Sequence, residues 1–268
     1  MKIIAEIGWN HMGNINLAKE MINAAKESGA DFAKFQTWSV KNLKPGPWDS
    51  DGRREIYEKA ELTKEMHQTL YDHCNKKGIK FLTSIFNIKD LEKINNLNLD
   101  TIKIPSHEIY NKDLISKISN LFKNVLVSTG ASLWAEILDL TKIPNFNKIF
   151  LLHCVSSYPC EFKDLQFNKF YELKKISKNK IGYSGHYPGI EDAKIAVNLN
   201  ASYIEKHFTI DNNLPGRDNK FAILPAALKS LRDKISRFEK MQKFNEKLSK
   251  EEVEVRKVYS GRWIKHLK

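Results

Sequence analysis

Cysteine is scarce in this 268-residue chain, which has three, at Cys74, Cys154 and Cys160. Their number is odd and no Cys-x-x-Cys pair occurs, so we expect neither a disulfide framework nor a cysteine zinc site. A reducing cytoplasm is the compartment that fits this cysteine usage best.

Long apolar runs are also missing. No stretch of about 18 apolar residues occurs, so no transmembrane helix is expected. The N-terminal sequence MKIIAEIGWNHMG contains the carboxylate of Glu6 and no small-residue cleavage site. A secretory signal is therefore not expected either.

Acidic residues are outnumbered, with 32 Asp and Glu against 44 Lys and Arg, a formal net charge of +12. Such an excess indicates either a polyanion-binding surface or many solvated lysines on helix faces. The lysines are scattered along the chain, and no zinc finger, RNP motif or basic zipper is present. We favour solvated lysines, expect no nucleic-acid partner, and keep a small anionic substrate as compatible with local lysine clusters.

Strand-like and helix-like segments alternate strictly along the chain. This alternation predicts a parallel sheet, and eight units in about 250 residues match a (β/α)8 TIM barrel. A doubly wound sheet is the alternative, but no G-x-G-x-x-G follows the first strand. The strands are predicted at 2–9, 31–37, 79–86, 101–106, 124–130, 148–155, 180–186 and 203–208.

Helical periodicity predicts the connecting segments. The first should bury Leu17, Met21, Ile22 and Ala25. We expect residues 1–245 to form the barrel domain and 246–268 a tail, and the irregular segment 38–62 to lie at the catalytic mouth. Helices are predicted at 15–30, 63–78 (with Thr63 as N-cap and Gly78 as the stop), 87–98, 111–122, 132–143, 164–177, 189–201 and 225–244.

Polar residues concentrate at the C-terminal ends of the predicted strands, where barrel enzymes place their chemistry. Four of them, Glu6, Lys34, Lys103 and Glu205, are charged. Burying an unpaired charge costs several kcal/mol. On one inner face, these four side chains would therefore need each other, a metal or a charged ligand.

The last strand is unusually polar. Side chains alternate along a strand, so Glu205 and His207 face inward while Lys206 points outward. His186, from the preceding strand, could meet His207 on one metal ion. Two histidines are too few for a closed structural zinc site but suit a catalytic divalent ion. The alternative histidines are His11 and His153.

The lysines and serines suggest an anion. Lys34 and Lys103, together with Ser106, Ser128 and Ser184, could surround a phosphate and a carboxylate. Phosphoenolpyruvate carries both groups on a small skeleton, and sugar phosphates remain an alternative.

Six segments in the same order resemble the sialic acid synthases and their nonulosonic acid relatives. The resemblance covers residues 3 to about 224. The segments are IIAEIGWNHMGNINLAKEMINAAKESGADFAKFQT, KIPSHEI, VSTGAS, LLHCVSSYP, GYSGHYPGIEDA and IEKHFTIDNNLPGRD.

The resemblance implies a TIM barrel that condenses phosphoenolpyruvate with the aldehyde of an N-acylated amino sugar such as N-acetylmannosamine. It also implies a homodimer and a divalent cation, Mn²⁺ or Mg²⁺, on His186 and His207. Catalysis is assigned by position to Glu6, Glu205 and Lys103. Substrate-binding positions are Lys34, Gln36, Ser84, Ser106, Ser128, Ser156, Tyr158, Ser184 and Asp218.

The sequence departs from the family pattern at three places. Gly185 stands where the family commonly has Asp, so a carboxylate is expected to be missing beside the metal. His107 replaces a common Gly and is expected to narrow the pocket or add a contact. Segment 250–264 resembles the connector to an antifreeze-like domain that is swapped across the dimer, and we expect that domain to be missing.

Three other functions remain open. The acceptor could be another sugar or sugar phosphate. Lys103 or Lys34 could form a Schiff base, as in another class of aldolase. The third, non-enzymatic, alternative is a basic protein that binds nucleic acid.

Overall fold

The computed structural model describes residues 1–264 and contains a closed barrel of eight parallel strands. Each strand pairs with the next, and β8 pairs with β1. The TIM-barrel prediction is therefore confirmed. The strands are β1 Lys2–Gly8, β2 Phe32–Thr37, β3 Lys80–Ile85, β4 Thr101–Ile104, β5 Asn124–Ser128, β6 Ile149–Cys154, β7 Gly182–Gly185 and β8 Tyr203–His207.

Nine α-helices lie within the described residues 1–264. The chain divides into two compact units, Met1–Ile235 and a second that begins at Ser236. None of the helices in the described range is long and apolar enough to cross a membrane. The helices are α1 Ile15–Glu27, α2 Arg53–Ala60, α3 Lys64–Lys77, α4 Lys112–Leu121, α5 Trp134–Leu140, α6 Asn168–Ile176, α7 Glu191–Asn198, α8 Pro225–Met241 and α9 Lys250–Tyr259.

Helix α3 shows how the sequence sets a helix boundary. The Thr63 hydroxyl accepts a hydrogen bond from the Met66 amide at 3.2 Å, which satisfies one of the free donors of the first turn. Gly78 ends the helix with φ +67°, a left-handed conformation that favours glycine. Both boundary predictions are confirmed.

Three predictions for the segments between the strands need correction. Residues 87–98 form only a short 3₁₀ helix, Ile88–Lys93, because the asparagines that follow favour turns over helix. The segment 38–62 is not wholly irregular, since it contains α2, which begins after Gly52 at φ +83°. In α1, Met21, Ile22 and Ala25 are buried as predicted, but Ala18 takes the buried position expected for Leu17, which is only half-buried.

Two layers fill the barrel interior. The lower layer is apolar and contains one side chain from each of five strands. Two residues further along these strands, the same inward face carries the polar residues of the upper layer, because side chains repeat every second residue. The lower layer is Ile4, Phe32, Leu82, Leu126 and Leu152, and the residues above it are Glu6, Lys34, Ser84, Ser128 and Cys154.

Three fully buried histidines, His11, His67 and His153, lie outside this upper layer. The His67 ring bridges the Thr37 hydroxyl at 2.8 Å and the Thr63 carbonyl oxygen at 2.7 Å. Burial lowers the pKa of each of the three imidazoles to about 4, because the charged form loses its hydration.

The low pKa values of these three histidines predict that the free energy of unfolding falls in acid. Between pH 6.5 and 4 the unfolded chain binds protons that the folded chain does not, so the stabilisation is present above pH 6.5 and is lost as the pH falls. At pH 5 the loss is about 2 kcal/mol per histidine. Urea unfolding at pH 7.5 and 5.0 measures it. His67→Gln should reduce the pH dependence, and an equal free energy of unfolding at both pH values would contradict the expectation.

Candidate active site

Four buried charges meet in the barrel interior, and we call Glu6, Lys34, Lys103 and Glu205 the inner charge cluster. Lys103 Nζ donates to both carboxylate oxygens of Glu205, at 2.8 and 2.9 Å. Lys34 Nζ lies 2.6 Å from Glu6 Oε2 and 3.7 Å from Glu205 Oε1. No side chain of the cluster is more than 7% exposed.

Neutral donors complete the cluster. Gln36 Nε2 donates to Glu6 Oε1 at 2.6 Å, and the Ser184 hydroxyl donates to Glu205 Oε1 at 3.0 Å. The structure thus brings together charges from β1, β2, β4 and β8 that the sequence analysis placed on one face. Ser184 serves Glu205 here and does not lie free for an anion.

Burial and mutual pairing shift the pKa values of three members of the cluster. Burial raises the pKa of Glu205, but Lys103 and Lys34 outweigh burial, and the carboxyl pKa lies below its usual range. Burial lowers the pKa of Lys34, but Glu205 and Glu6 outweigh it and hold the pKa above its usual value. For Lys103, burial prevails and the pKa is lowered. Such desolvated pairs contribute little to stability, so a function is the better reason for them.

Beside the charges lies a group of small residues that we call the anion cradle: Ser106, Ser128, Gly130 and Ser156. The Gly130 amide donates to the Ser106 hydroxyl at 3.1 Å. A Cβ on Gly130 would lie 2.4 Å from Ser156 Oγ and 3.0 Å from Ser106 Oγ. The hydroxyls of Ser128 and Ser156 are buried without a partner in the described part of the chain. Unpartnered buried donors are suited to an oxyanion.

Two histidines meet at the mouth. The rings of His186 and His207 lie 5.3 Å apart between centroids. His186 Nδ1 lies 2.7 Å from the Val155 carbonyl oxygen, which can only accept, so this nitrogen carries a proton. His207 Nδ1 is 3.3 Å from Asp218 Oδ2. The Tyr158 ring packs on His186, with centroids 4.1 Å apart.

This donor set fits a catalytic divalent ion. Residues 1–264 contain no group of three or more His, Cys, Asp or Glu placed to hold a metal, which excludes a closed structural zinc site within them. Two imidazoles, one oriented by a carbonyl and one beside a carboxylate, leave several positions for water and substrate oxygens. The alternative histidines are elsewhere: the His153 ring packs between Phe167 and Tyr183, and the His11 ring packs on Phe35.

The structure locates two of the departures from the family pattern. The His107 side chain is 61% exposed and stacks on Phe86, with centroids 5.4 Å apart. A Cβ on Gly185 would point outward, 2.3 Å from Asp192 Oδ2. The expectation of a missing carboxylate beside the metal is therefore wrong, because position 185 faces helix α7 and not the histidines.

Sequence reasoning missed two features. Cys154 lies 3.5 Å from the Ser106 hydroxyl and 4.0 Å from His186 Nδ1. Burial raises its pKa, but His186, Ser106 and Lys103 lower it to about 7. Its position two residues after Leu152 could have identified it as inward-facing. The second is an aromatic cluster in which Tyr57 of α2 packs on Trp9 and Trp38, joining segment 38–62 to the ends of β1 and β2.

Comparison with known proteins agrees with the geometry. The model of the NeuB family matches residues 21–247. An N,N'-diacetyllegionaminic acid synthase of Campylobacter jejuni is 38% identical over 254 residues, which cover 89% of this chain and 76% of the relative. A pseudaminic acid synthase of Helicobacter pylori is 36% identical over 237 residues, covering 83% of this chain and 69% of the relative.

Among solved structures, an N-acetylneuraminic acid synthetase of Leptospira borgpetersenii in complex with citrate superposes with a TM-score of 0.84 at 31% identity, covering 96% of this chain and 91% of that one. The chain therefore belongs to the NeuB family and is a phosphoenolpyruvate-dependent transferase of the sialic acid synthase type, which forms a carbon–carbon bond.

Proposed function

We propose that this chain condenses phosphoenolpyruvate with the open-chain aldehyde of an N-acylated amino sugar, related to N-acetylmannosamine, to give a nonulosonic acid and phosphate. The observation that carries the proposal is the convergence of two buried ammonium groups, an anion cradle and two imidazoles at one barrel mouth. The named activities of the relatives, which make legionaminic, pseudaminic and neuraminic acids, support the acceptor class.

Phosphoenolpyruvate needs partners for two anionic groups. Lys34 and Lys103 supply the positive charges, and Ser84 is paired in register with Lys103 on the neighbouring strand. The cradle hydroxyls of Ser128 and Ser156 supply donors that have no hydrogen-bond partner among residues 1–264. Because these groups are fixed before substrate enters, little reorganisation is needed during the reaction.

The reaction joins C3 of phosphoenolpyruvate to the aldehyde carbon, and the aldehyde oxygen takes up a proton and becomes a hydroxyl group. Water adds to C2, the bond between C2 and the phosphate oxygen breaks, and the carbonyl of the ketoacid forms. One carboxylate must accept the proton of that water. Glu6 and Glu205 are the carboxylates of the inner charge cluster, and Gln36 fixes the orientation of Glu6.

His186 and His207 would hold Mn²⁺ or Mg²⁺, which as a Lewis acid supplies polarisation of a carbonyl oxygen. The protein groups orient the acceptor. Asp218 is beside His207, and Tyr158 covers His186 and lies 6.1 Å from His207 between ring centroids. Their position beside the two histidines supports the proposal that these two side chains contact sugar hydroxyls. A homodimer and a cytoplasmic location remain predictions of the sequence.

The proposal predicts stoichiometric products. With Mn²⁺, phosphoenolpyruvate and a panel of aldoses, N-acylated amino sugars should yield phosphate and a 2-ketoacid in equal amounts. Colorimetric phosphate and ketoacid assays measure both. Borohydride should trap no imine with substrate, whereas a trapped imine would establish the Schiff-base alternative. Salt-sensitive nucleic-acid binding without phosphate release would exclude the proposal.

His207→Ala should weaken Mn²⁺ binding at least tenfold and reduce kcat at least 100-fold, because one of the two imidazoles is lost. Calorimetry with Mn²⁺ and steady-state kinetics measure the two effects. His73→Ala is the matched control, since His73 lies on α3 and bonds to Asn23. If His207→Ala keeps full metal affinity, the metal assignment is wrong.

Gly130→Ala should raise KM for phosphoenolpyruvate about tenfold or more, because the new methyl group would lie 2.4 Å from Ser156 Oγ, inside the cradle. Thermal unfolding should show that the barrel remains folded. Ser157→Ala is the control, because this exposed hydroxyl donates to the Pro159 carbonyl oxygen and lies outside the cradle. An unchanged KM in the Gly130 variant would place the anion elsewhere.

A further inference from the structure

A second buried ion pair lies on the outer face of β7 and β8, behind the two histidines. Lys206 Nζ and Asp192 Oδ2 are 2.8 Å apart, and their side chains are 2% and 0% exposed. Asp192 Oδ2 also accepts a hydrogen bond from the Tyr183 hydroxyl at 2.9 Å, and Oδ1 accepts one from the Ala193 amide at 2.7 Å. We call Lys206 and Asp192 the outer ion pair.

The outer ion pair is connected to the backbone next to each of the two histidines. Lys206 lies between Glu205 and His207 on β8. Holding the Lys206 side chain in place therefore also holds the part of β8 that carries the His207 imidazole. Its ammonium group also donates to the Tyr187 carbonyl oxygen at 2.7 Å, and Tyr187 directly follows His186. One side chain therefore connects the segments that carry the two rings.

Position 185 faces the same space. A Cβ on Gly185 would lie 2.3 Å from Asp192 Oδ2 and 2.5 Å from Tyr183 Cε1. A carboxylate built on that Cβ would occupy the region that the Asp192 carboxylate fills now. Residues 185 and 192 therefore compete for one carboxylate site, with Lys206 and the Tyr183 hydroxyl as its donors.

We propose that Asp192 is a positioning residue, which supplies from helix α7 the buried carboxylate that fixes Lys206 and thereby the spacing of His186 and His207. Gly185 is its necessary counterpart, because a side chain there would displace the carboxylate. The positioning role rests on the proposed function, in which the two histidines hold a divalent ion. The shared carboxylate site follows from the geometry alone.

A double-mutant cycle tests the shared site. Asp192→Ala leaves the Lys206 ammonium buried and unpaired, and Gly185→Asp forces two carboxylates into one space. We expect each single variant to lower Tm by about 10 °C. The double variant Gly185→Asp with Asp192→Ala restores one carboxylate to the site but keeps the contact of the new Cβ with the Tyr183 ring, so its loss should be clearly smaller than the sum of the two single losses. Strictly additive losses would overturn the shared site.

Metal affinity tests the positioning role. Calorimetry with Mn²⁺ should show about tenfold weaker binding in Asp192→Ala and recovery in the double variant, as expected when a group that orients metal ligands is removed. Asp192→Asn keeps the shape of the side chain and should fold even if Asp192→Ala does not, with the same direction of change. Unaltered Mn²⁺ affinity in a folded Asp192 variant would show that the pair only stabilises the barrel.

Glu191→Ala is the matched control. It removes an ion pair with Lys194 on the same helix, but these side chains are 57% and 38% exposed, so Tm and Mn²⁺ affinity should remain close to those of the parent protein. Neither readout requires turnover. A parent protein that makes no ketoacid would therefore refute the proposed function, while the cycle would still decide whether positions 185 and 192 share one carboxylate.

Discussion

The site depends on one constraint, the pairing of two buried ammonium groups with two buried carboxylates at the C-terminal end of the barrel. Removing a single member would leave an uncompensated charge without water, at a cost of roughly 3–5 kcal/mol. The barrel can accommodate this because the layer below, from Ile4 to Leu152, is wholly apolar and closely packed. The apolar residues of the core and the polar residues of the site thus lie in successive layers, two residues apart along the same strands.

The same alternation explains why β8, of sequence YIEKH, can be polar on both faces. Glu205 points inward to Lys103 and Lys34, and Lys206 points outward to Asp192, so each charge meets a partner. His207 points inward again and reaches the mouth. A strand of a parallel barrel is normally apolar on both sides. Here both charged residues are paired, Glu205 inside the barrel and Lys206 on its outer side.

The two-residue period made much of this predictable. Eight strands, the inward direction of Glu205 and His207, and the need of Lys34 and Lys103 for partners all follow from local pattern. The Lys103–Glu205 contact itself joins residues 102 apart in sequence, and only closure of the barrel selects it. The outward direction of position 185 follows from the same period, because Ser184 before it points inward. What no motif predicted is that Asp192 from the following helix lies opposite it. For residues 87–98 the local pattern was misleading. Their apolar spacing is helical, but the asparagines in this segment favour turns, so only a short 3₁₀ helix forms.

Charge balance limits how the cavity can bind an anion. The formal charges of the inner charge cluster sum to zero, so Lys34 and Lys103 already have carboxylate partners before an anion binds. Recognition by these lysines must therefore be supplemented by donors that carry no countercharge. The hydroxyls of Ser128 and Ser156 are of this kind, and the absence of a side chain at Gly130 keeps them open. In the proposed metal site the imidazoles of His186 and His207 would bind as uncharged ligands. A divalent ion held by them would therefore keep its full double charge for substrate oxygens, which a carboxylate ligand would partly cancel.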